Sequence, residues 1–322
     1  MDRKVGACIV IAFLLRVLAG LNPQLSLDEG YSTYFTQIPL SSIFLFAGLD
    51  SNPPLGNALF HLWGLVARDN ILLWRLPGIL ASVLALPIVY TMLRSETSES
   101  TALLVIIGKT VSLCDVLFAQ QIRVYPFAEL LLIISWFALI RFLRGSSPHS
   151  GYLWGMCSAA ACHFHYVCLL IVIATIGASI IPVYRQAEKR IHFIKAAAMF
   201  VVLCTPLSFP LIQQLTVYQS YRWIPSPHAA VLIAAAFQLS GYSFTALTGS
   251  LVLIYSLFFI KRSDTGLTTA RMYLPTVLPC GTITILFAAL AFVGSILGGS
   301  FFLPALLLLS SSPILNAHHA WP

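Results

Sequence analysis

Long apolar segments recur along this chain, with short polar stretches between them. Residues 71–93, for example, contain a single charged side chain, and such a run is long enough to cross a bilayer as a helix. The chain is 58% hydrophobic and only 9% charged, whereas soluble domains carry about 25% charged residues. The sequence therefore predicts an all-α protein, a polytopic transmembrane helical bundle without a soluble domain.

We predict about nine spans in this bundle, from the positions of the apolar runs. They cover residues 5–21, 71–93, 101–119, 127–143, 152–165, 166–182, 196–211, 243–260 and 273–297, and 301–309 begins a last one. The first is interpreted as an uncleaved span, because Arg16 interrupts its apolar run and no cleavage site of small residues is evident. We treat 1–322 as one domain, in which an outer loop at 22–70 precedes the remaining spans at 71–316.

The outer loop is predicted to carry short interfacial helices at 26–37, 39–47 and 53–67. If the spans alternate in direction, most basic residues fall on the opposite side, including those of a loop at 185–195. That asymmetry identifies the basic side as cytoplasmic. The net charge of +7 therefore reflects membrane topology, and no nucleic-acid partner is predicted. The seven cysteines lie mostly inside apolar runs without a CxxC motif, which predicts small buried side chains.

Carboxylates are concentrated in the outer loop, where Asp28, Glu29 and Asp50 occur. Charged groups are costly near a bilayer, so this loop is a candidate functional site. Ser26 and Glu29 have the spacing of a capping box, which gives Glu29 a structural role. Asn52 before a double proline is predicted to be a helix N-cap. Asp28 and Asp50 have no comparable structural explanation.

Five short motifs in the outer loops suggest a family. They are LDEGYS, DSNPPLGNALFHLW, WRLPG, QQIRVY and HFHY, in this order. Together they resemble the membrane glycosyltransferases of the GT-C class, in particular the bacterial family-39-type branch with relatives of protein O-mannosyltransferases and lipid A aminoarabinose transferases. The resemblance extends from the N-terminus to about residue 228, and relatives are commonly longer.

The resemblance implies an inverting transfer from a polyprenyl-phosphate sugar to a hydroxyl of a lipid, glycan or protein acceptor, at the outer face of a bacterial plasma membrane. It places the family's acidic pair on Asp28 and Glu29 and its acid before the double proline on Asp50. The family's glutamine-arginine-tyrosine turn falls on Gln120, Arg123 and Tyr125. Two positions depart from the family pattern: Gln121 replaces an acid, and Asn52 replaces a frequent histidine.

The residue chemistry favours Asp28 over Glu29 as the catalytic base. An attacking hydroxyl must lose its proton, and a positioned carboxylate can accept it. Successive helical residues point about 100° apart, so the two acids cannot face the same substrate atom. Simple compensation of the helix dipole is the alternative role for Asp28.

Arg123 is the first candidate for binding the sugar donor's phosphate, because a guanidinium grips a phosphate with two parallel hydrogen bonds. Snorkelling to lipid headgroups is the alternative. Arg75 is a weaker candidate for the same role, and Gln120 and Tyr125 accompany Arg123 in the turn.

Several other polar residues are candidates for a role at the site. Asp50, with Asn52, is a candidate for binding the acceptor or a divalent metal ion, although a turn role explains Asp50 almost as well. His165 is predicted to form hydrogen bonds near the site. Asp115 and Glu129 lie inside predicted spans, and buried pairing explains both, with a proton relay as the alternative.

Two other functions remain open from the sequence. One is a secondary transporter, which typically shows inverted repeats, broken helices and ionisable residues near the midplane. The other is a truncated, inactive glycosyltransferase-like membrane protein. The clustering of acids at one face favours the enzyme.

Overall fold

The computed structural model describes residues 2–45, 52–95, 97–145, 147–184 and 187–218, without the side chains of 181, 182 and 215–218. They belong to one compact unit, Met1–Tyr218. Every regular element in the described residues is helical and none is a strand, so the predicted all-α fold is confirmed there. The predicted spans beyond residue 218 and the candidate Asp50 lie outside the described residues.

The described helices follow one another with short connections. They are α1 Arg3–Gly20, α2 Leu27–Tyr34, α3 Leu40–Leu45, α4 Pro54–Ala67, α5 Ile71–Arg94, α6 Glu99–Val111, α7 Leu113–Ala119, α8 Tyr125–Leu143, α9 Pro148–Phe164, α10 Val167–Tyr184, α11 Ala187–Cys204 and α12 Ser208–Tyr218, with short 3₁₀ turns at Phe35–Gln37 and Thr205–Leu207.

Three stretches among the described residues are long and apolar enough to cross a membrane: Ile71–Arg94, Tyr125–Leu143 and Ala187–Gln214. The pair α6 and α7 makes a fourth if it counts as one bent span. Helix α1 has comparable length but carries Arg16 in addition to two basic residues in its first turn. These helices agree with the predicted membrane protein in its general form.

The predicted capping box at α2 is confirmed. The Glu29 amide donates to the Ser26 hydroxyl over 3.3 Å, and the Ser26 amide donates to the Glu29 carboxylate over 3.0 Å. The predicted N-cap at Asn52 is wrong, because Pro53 occupies the cap position of α4 and Pro54 begins the helix. The double proline shifts the helix start by one residue, since Pro54 fits the first helical turn.

The predicted span at 101–119 is bent in the structure. The chain leaves the helical conformation at Ser112, and α6 and α7 meet at a bend of 54°. A break frees carbonyl groups at the end of the first helix. Here the fully buried guanidinium of Arg16 donates to the carbonyls of Lys109 and Thr110, while the Ser112 hydroxyl accepts the Asp115 amide and caps α7.

The predicted basic loop at 185–195 is largely helical, because α11 already begins at Ala187. The Lys189 ammonium donates to the carbonyl of Leu143 over 2.6 Å, at the C-terminal end of α8. A cation is favourable at that end of a helix dipole. The basic residues therefore lie in the N-terminal part of α11, ahead of its apolar part.

Two glycines allow α4 and α5 to pack closely against the turn at 120–124. A Cβ atom at Gly78 of α5 would lie 2.8 Å from the carbonyl oxygen of Ala119, so the glycine allows α5 to pack against the start of the turn. A Cβ atom at Gly56 of α4 would overlap the Val124 side chain. Larger residues at these positions would move the turn away from α4 and α5.

Candidate functional site

Glu29 is the centre of the site's framework. Its carboxylate is buried and accepts hydrogen bonds from the Ser26 amide, from the Ile122 amide over 3.2 Å and from the Arg75 guanidinium. These contacts join α2 to α5 and to the turn at 120–124. Because Arg75 donates twice, the carboxylate accepts four hydrogen bonds and has no lone pair left for a substrate proton. The geometry therefore gives Glu29 a structural role.

Arg75 completes this framework. Its Nε and one Nη donate to the Glu29 carboxylate over 3.0 and 3.3 Å. The remaining N–H groups donate to the carbonyls of Gly20, Asn22 and Gln24. A guanidinium has five N–H groups, and the protein uses all five. Arg75 is thus a buried anchor for residues 20–24, and this occupancy argues against its predicted role in phosphate binding.

Asp28 differs sharply from its neighbour. Its side chain is partly exposed, and none of the described residues donates a hydrogen bond to its carboxylate or forms an ion pair with it. It lines an open recess of about 680 Å³ with Leu27, Gly30 and Tyr31. As expected from helical geometry, the two neighbouring acids face different surroundings.

Arg123 is held beside α2 by its own side chain. The guanidinium is buried and makes two long contacts, 3.4 Å to the carbonyl oxygen of Asp28 and 3.5 Å to the Ser32 hydroxyl. Its central carbon lies 5.7 Å from the ring centroid of Tyr125, a cation–π geometry. The structure therefore brings the predicted base, the predicted phosphate ligand and Tyr125 into one region.

His165 joins this region in the link between α9 and α10. Its ring centroid lies 5.6 Å from that of Tyr125. Burial, reinforced by the positive charge of Arg123, lowers the pKa of His165 to about 4. The ring is therefore neutral at pH 7. Its Nδ1 accepts the Val167 amide over 3.2 Å, so the proton lies on Nε2, which can donate a hydrogen bond.

The structure gives less information about the other predicted site residues, which are Gln120, Asn52 and Asp50. The side-chain oxygen of Gln120 is buried without a hydrogen-bond partner in the described part of the chain. Asn52 is buried before α4. Because Asp50 lies outside the described residues, its predicted role in acceptor or metal binding stays a prediction. No group of three or more potential metal ligands occurs in the described ranges.

A second charged group lies at the break between α6 and α7. The Lys109 ammonium donates to the carboxylates of Asp115 and Glu129. The predicted pairing of both acids is thereby confirmed, whereas their predicted burial is wrong, since both side chains are partly exposed. The Asp115 side chain is 19% exposed and that of Glu129 is 41% exposed. The sequence signal for this group is one lysine and two acids in neighbouring apolar runs.

Sequence reasoning missed two polar residues of the outer region. Ser32 is buried, donates to the carbonyl of Asp28 and contacts Arg123. Its spacing of one helical turn from Asp28 was the available signal. His61 contacts the carbonyl of Phe35 over 3.0 Å and joins α4 to the 3₁₀ turn after α2. Nothing local to His61 indicates that contact.

Comparison with known proteins adds no further constraint on this site. No family model, curated protein or solved structure matches the chain.

Proposed function

We propose that this protein is an integral membrane glycosyltransferase of the bacterial plasma membrane. In this proposal the chain has about nine spans and transfers a sugar, with inversion, from a polyprenyl phosphate to an acceptor hydroxyl at the outer face. The observation that carries the proposal is the contrast at α2. Asp28 presents a partly exposed carboxylate without a partner in the described residues, while Glu29 is used entirely in the framework.

The geometry supports different roles for Asp28 and Arg123, which the framework of Glu29 and Arg75 holds in one region. Asp28 would accept the proton of the acceptor hydroxyl as that oxygen attacks the sugar. The leaving phosphate gains negative charge at the same time, and Arg123 would stabilise it. The Glu29 bond to the Ile122 amide fixes the turn that carries Arg123 relative to α2. Neutral His165 and Tyr125 would hydrogen-bond the sugar or the phosphate.

The proposal is tested with membranes that contain the full chain and radiolabelled polyprenyl-phosphate sugars. We expect transfer by the wild type and a rate loss on the order of 10² to 10⁴ for Asp28→Asn, as for removal of a positioned base. Asp69→Asn is the matched control, since Asp69 is an exposed acid in the turn after α4. Its rate should equal that of the wild type.

Two results would contradict the proposed glycosyltransferase activity. One is an Asp28→Asn variant that transfers sugar at the wild-type rate. The other is a correctly inserted wild type that transfers none of the sugars tested, which would favour the inactive glycosyltransferase-like alternative.

A secondary transporter is the second candidate, and the break between α6 and α7 favours it. Broken helices with ionisable groups are typical of transporter binding sites. Lys109, Asp115 and Glu129 form such a group beside the bend. In proteoliposomes with an internal pH dye, a transporter should move protons with a substrate, and Glu129→Gln should abolish that flux. The control is Glu99→Gln, which alters an exposed ion pair with Arg94. Absence of flux in every variant excludes this candidate.

A further inference from the structure

Helices α9 and α11 pack side by side in parallel and in a constant register. The Tyr152 hydroxyl contacts the His192 ring over 3.5 Å, and His163 Nε2 contacts the carbonyl of Leu203 over 2.9 Å. Each of these pairs is separated by 40 residues along the chain. The same register therefore holds from the first turns of the two helices to their last turns.

Small residues bring the two backbones close together within this register. A Cβ atom at Gly155 would lie 2.6 Å from the carbonyl oxygen of Ala196, so only a glycine fits at that position of α9. Ala196 itself is fully buried. Two helices at such a separation can place opposed side chains within covalent bonding distance after a change of rotamer.

The register brings two cysteines together at the C-terminal ends of these helices. Cys162 lies about two helical turns after Gly155 in α9, and Cys204 lies about two turns after Ala196 in α11, so both cysteines continue the faces on which these two helices meet. Cys162 is fully buried, and Cys204 packs against the same hydrophobic cluster. Both cysteines are reduced in the structure.

We propose that Cys162 and Cys204 form a redox-sensitive pair that closes into a disulfide between α9 and α11. This inference is independent of the proposed catalytic function. It requires an oxidant to reach the C-terminal ends of both helices, which run towards the outer, oxidising side of the membrane in the predicted topology. The bond would lie next to the link that carries His165.

The oxidant in this step is an external disulfide of the glutathione or thiol-oxidoreductase class. The thiolate of Cys204, which is partly exposed, attacks one sulfur of the oxidant and releases its first thiol. The thiolate of Cys162 then attacks Sγ of Cys204 in the mixed disulfide and releases the second thiol. One disulfide in the oxidant is thus reduced to two thiols, while two protein thiols are oxidised to one disulfide.

The test uses the full chain in membrane vesicles treated with oxidised glutathione. Free thiols are then blocked, the protein is digested without reduction, and peptides are identified by mass spectrometry. We expect a cross-linked peptide pair that contains Cys162 and Cys204 and disappears with dithiothreitol. The Cys204→Ser and Cys162→Ala variants should lose this pair, whereas Cys157→Ser, which alters another cysteine of α9, should retain it.

Two outcomes would overturn the proposal. The first is that Cys162 and Cys204 both stay available to a maleimide after oxidation of the folded wild type. The second is that oxidation joins Cys162 to Cys168 in the next helix, or leaves glutathione on Cys204 without a cross-link. The wild-type result decides between these outcomes by itself, so a variant that fails to fold does not obscure it.

Discussion

Two charged groups in the described part of this protein contrast in how completely the fold uses them. In the outer group, Glu29 and Arg75 have side chains that are 5% and 4% exposed, and all their hydrogen-bonding positions are occupied by the protein. In the inner group, Lys109 bridges Asp115 and Glu129, and the Glu129 side chain is 41% exposed. The first group is enclosed by the protein, whereas the protein covers the second only in part.

The difference separates structural charges from charges that can do chemistry. A buried ion pair is tolerable only when further hydrogen bonds satisfy both partners, and the outer pair meets that condition. This pair also fixes its neighbours. Glu29 accepts the Ile122 amide of the turn at 120–124, and Arg123 of the same turn donates to the carbonyl of Asp28 in α2. We infer that the outer pair is a frame for Asp28 and Arg123. The inner group is only partly covered by the protein.

The largest effect is expected for Arg75→Ala. This change leaves the Glu29 carboxylate buried without its cation, which typically costs about 3 to 5 kcal/mol. Thermal unfolding in detergent should show a strongly lowered midpoint. Arg94→Ala is the control, because Arg94 and Glu99 form an exposed pair that contributes roughly 0 to 1 kcal/mol. Equal stability of the two variants would contradict the role of Arg75 as a frame.

Arg123→Lys should impair turnover more than stability. Lysine keeps the charge but loses the two parallel hydrogen bonds, so we expect kcat to fall on the order of 10²-fold with a smaller change in KM for the sugar donor. Arg123→Ala should be worse in both parameters. Arg141→Lys, which changes an arginine stacked on Phe137 in α8, is the matched control. Wild-type kinetics for Arg123→Lys would identify Arg123 as an interfacial anchor.

Lys109→Ala should destabilise the protein less than Arg75→Ala. The carboxylates of Asp115 and Glu129 lose their cation, but neither is fully enclosed by the protein. We therefore expect a cost of about 1 to 3 kcal/mol, between those of exposed and buried pairs. Unfolding of both variants in one detergent tests the order, and a larger loss for Lys109→Ala would reverse the comparison of the two groups.

A pH dependence of stability is expected from His165. Its pKa falls from 6.5 to about 4 on folding, so the unfolded chain binds the proton more readily. Stability should therefore decline as the pH falls from about 6.5 towards 4 and then level off. His165→Gln should flatten this decline, which thermal unfolding at pH 7 and pH 5 would reveal. An unchanged pH profile in the variant would mean that His165 is accessible to protons in the folded protein.

Local features of this site were predictable from the sequence. The capping box joins Ser26 to Glu29 within one helical turn, and the same helical geometry separates Glu29 from Asp28. The ion pair between Glu29 and Arg75 was not predictable, because its partners are 46 residues apart. The same is true of the bond from Ile122 to Glu29, whose partners are 93 residues apart. Such contacts depend on the packing of α2, α5 and the turn at 120–124.

The break at Ser112 shows the same limit for the fold. A single serine in an apolar run is compatible with a continuous helix, and the prediction of one span followed from that pattern. The break is stabilised by Arg16, which binds the carbonyls of Lys109 and Thr110 from α1. Arg16 was visible in the sequence as a charge within a span. Its partners were not, since 94 residues separate Arg16 from Thr110.

The central claim is that Asp28 performs chemistry while Glu29 holds the frame, and one paired measurement tests it most directly. Turnover and the midpoint of thermal unfolding are determined on the same purified preparations of Asp28→Asn and Glu29→Gln. For Asp28→Asn we predict a loss of turnover on the order of 10² to 10⁴ with an unchanged midpoint. For Glu29→Gln we predict a midpoint lowered by the unpaired Arg75, with much higher turnover per folded molecule than Asp28→Asn. A Glu29→Gln variant that is fully stable and less active than Asp28→Asn would contradict the account.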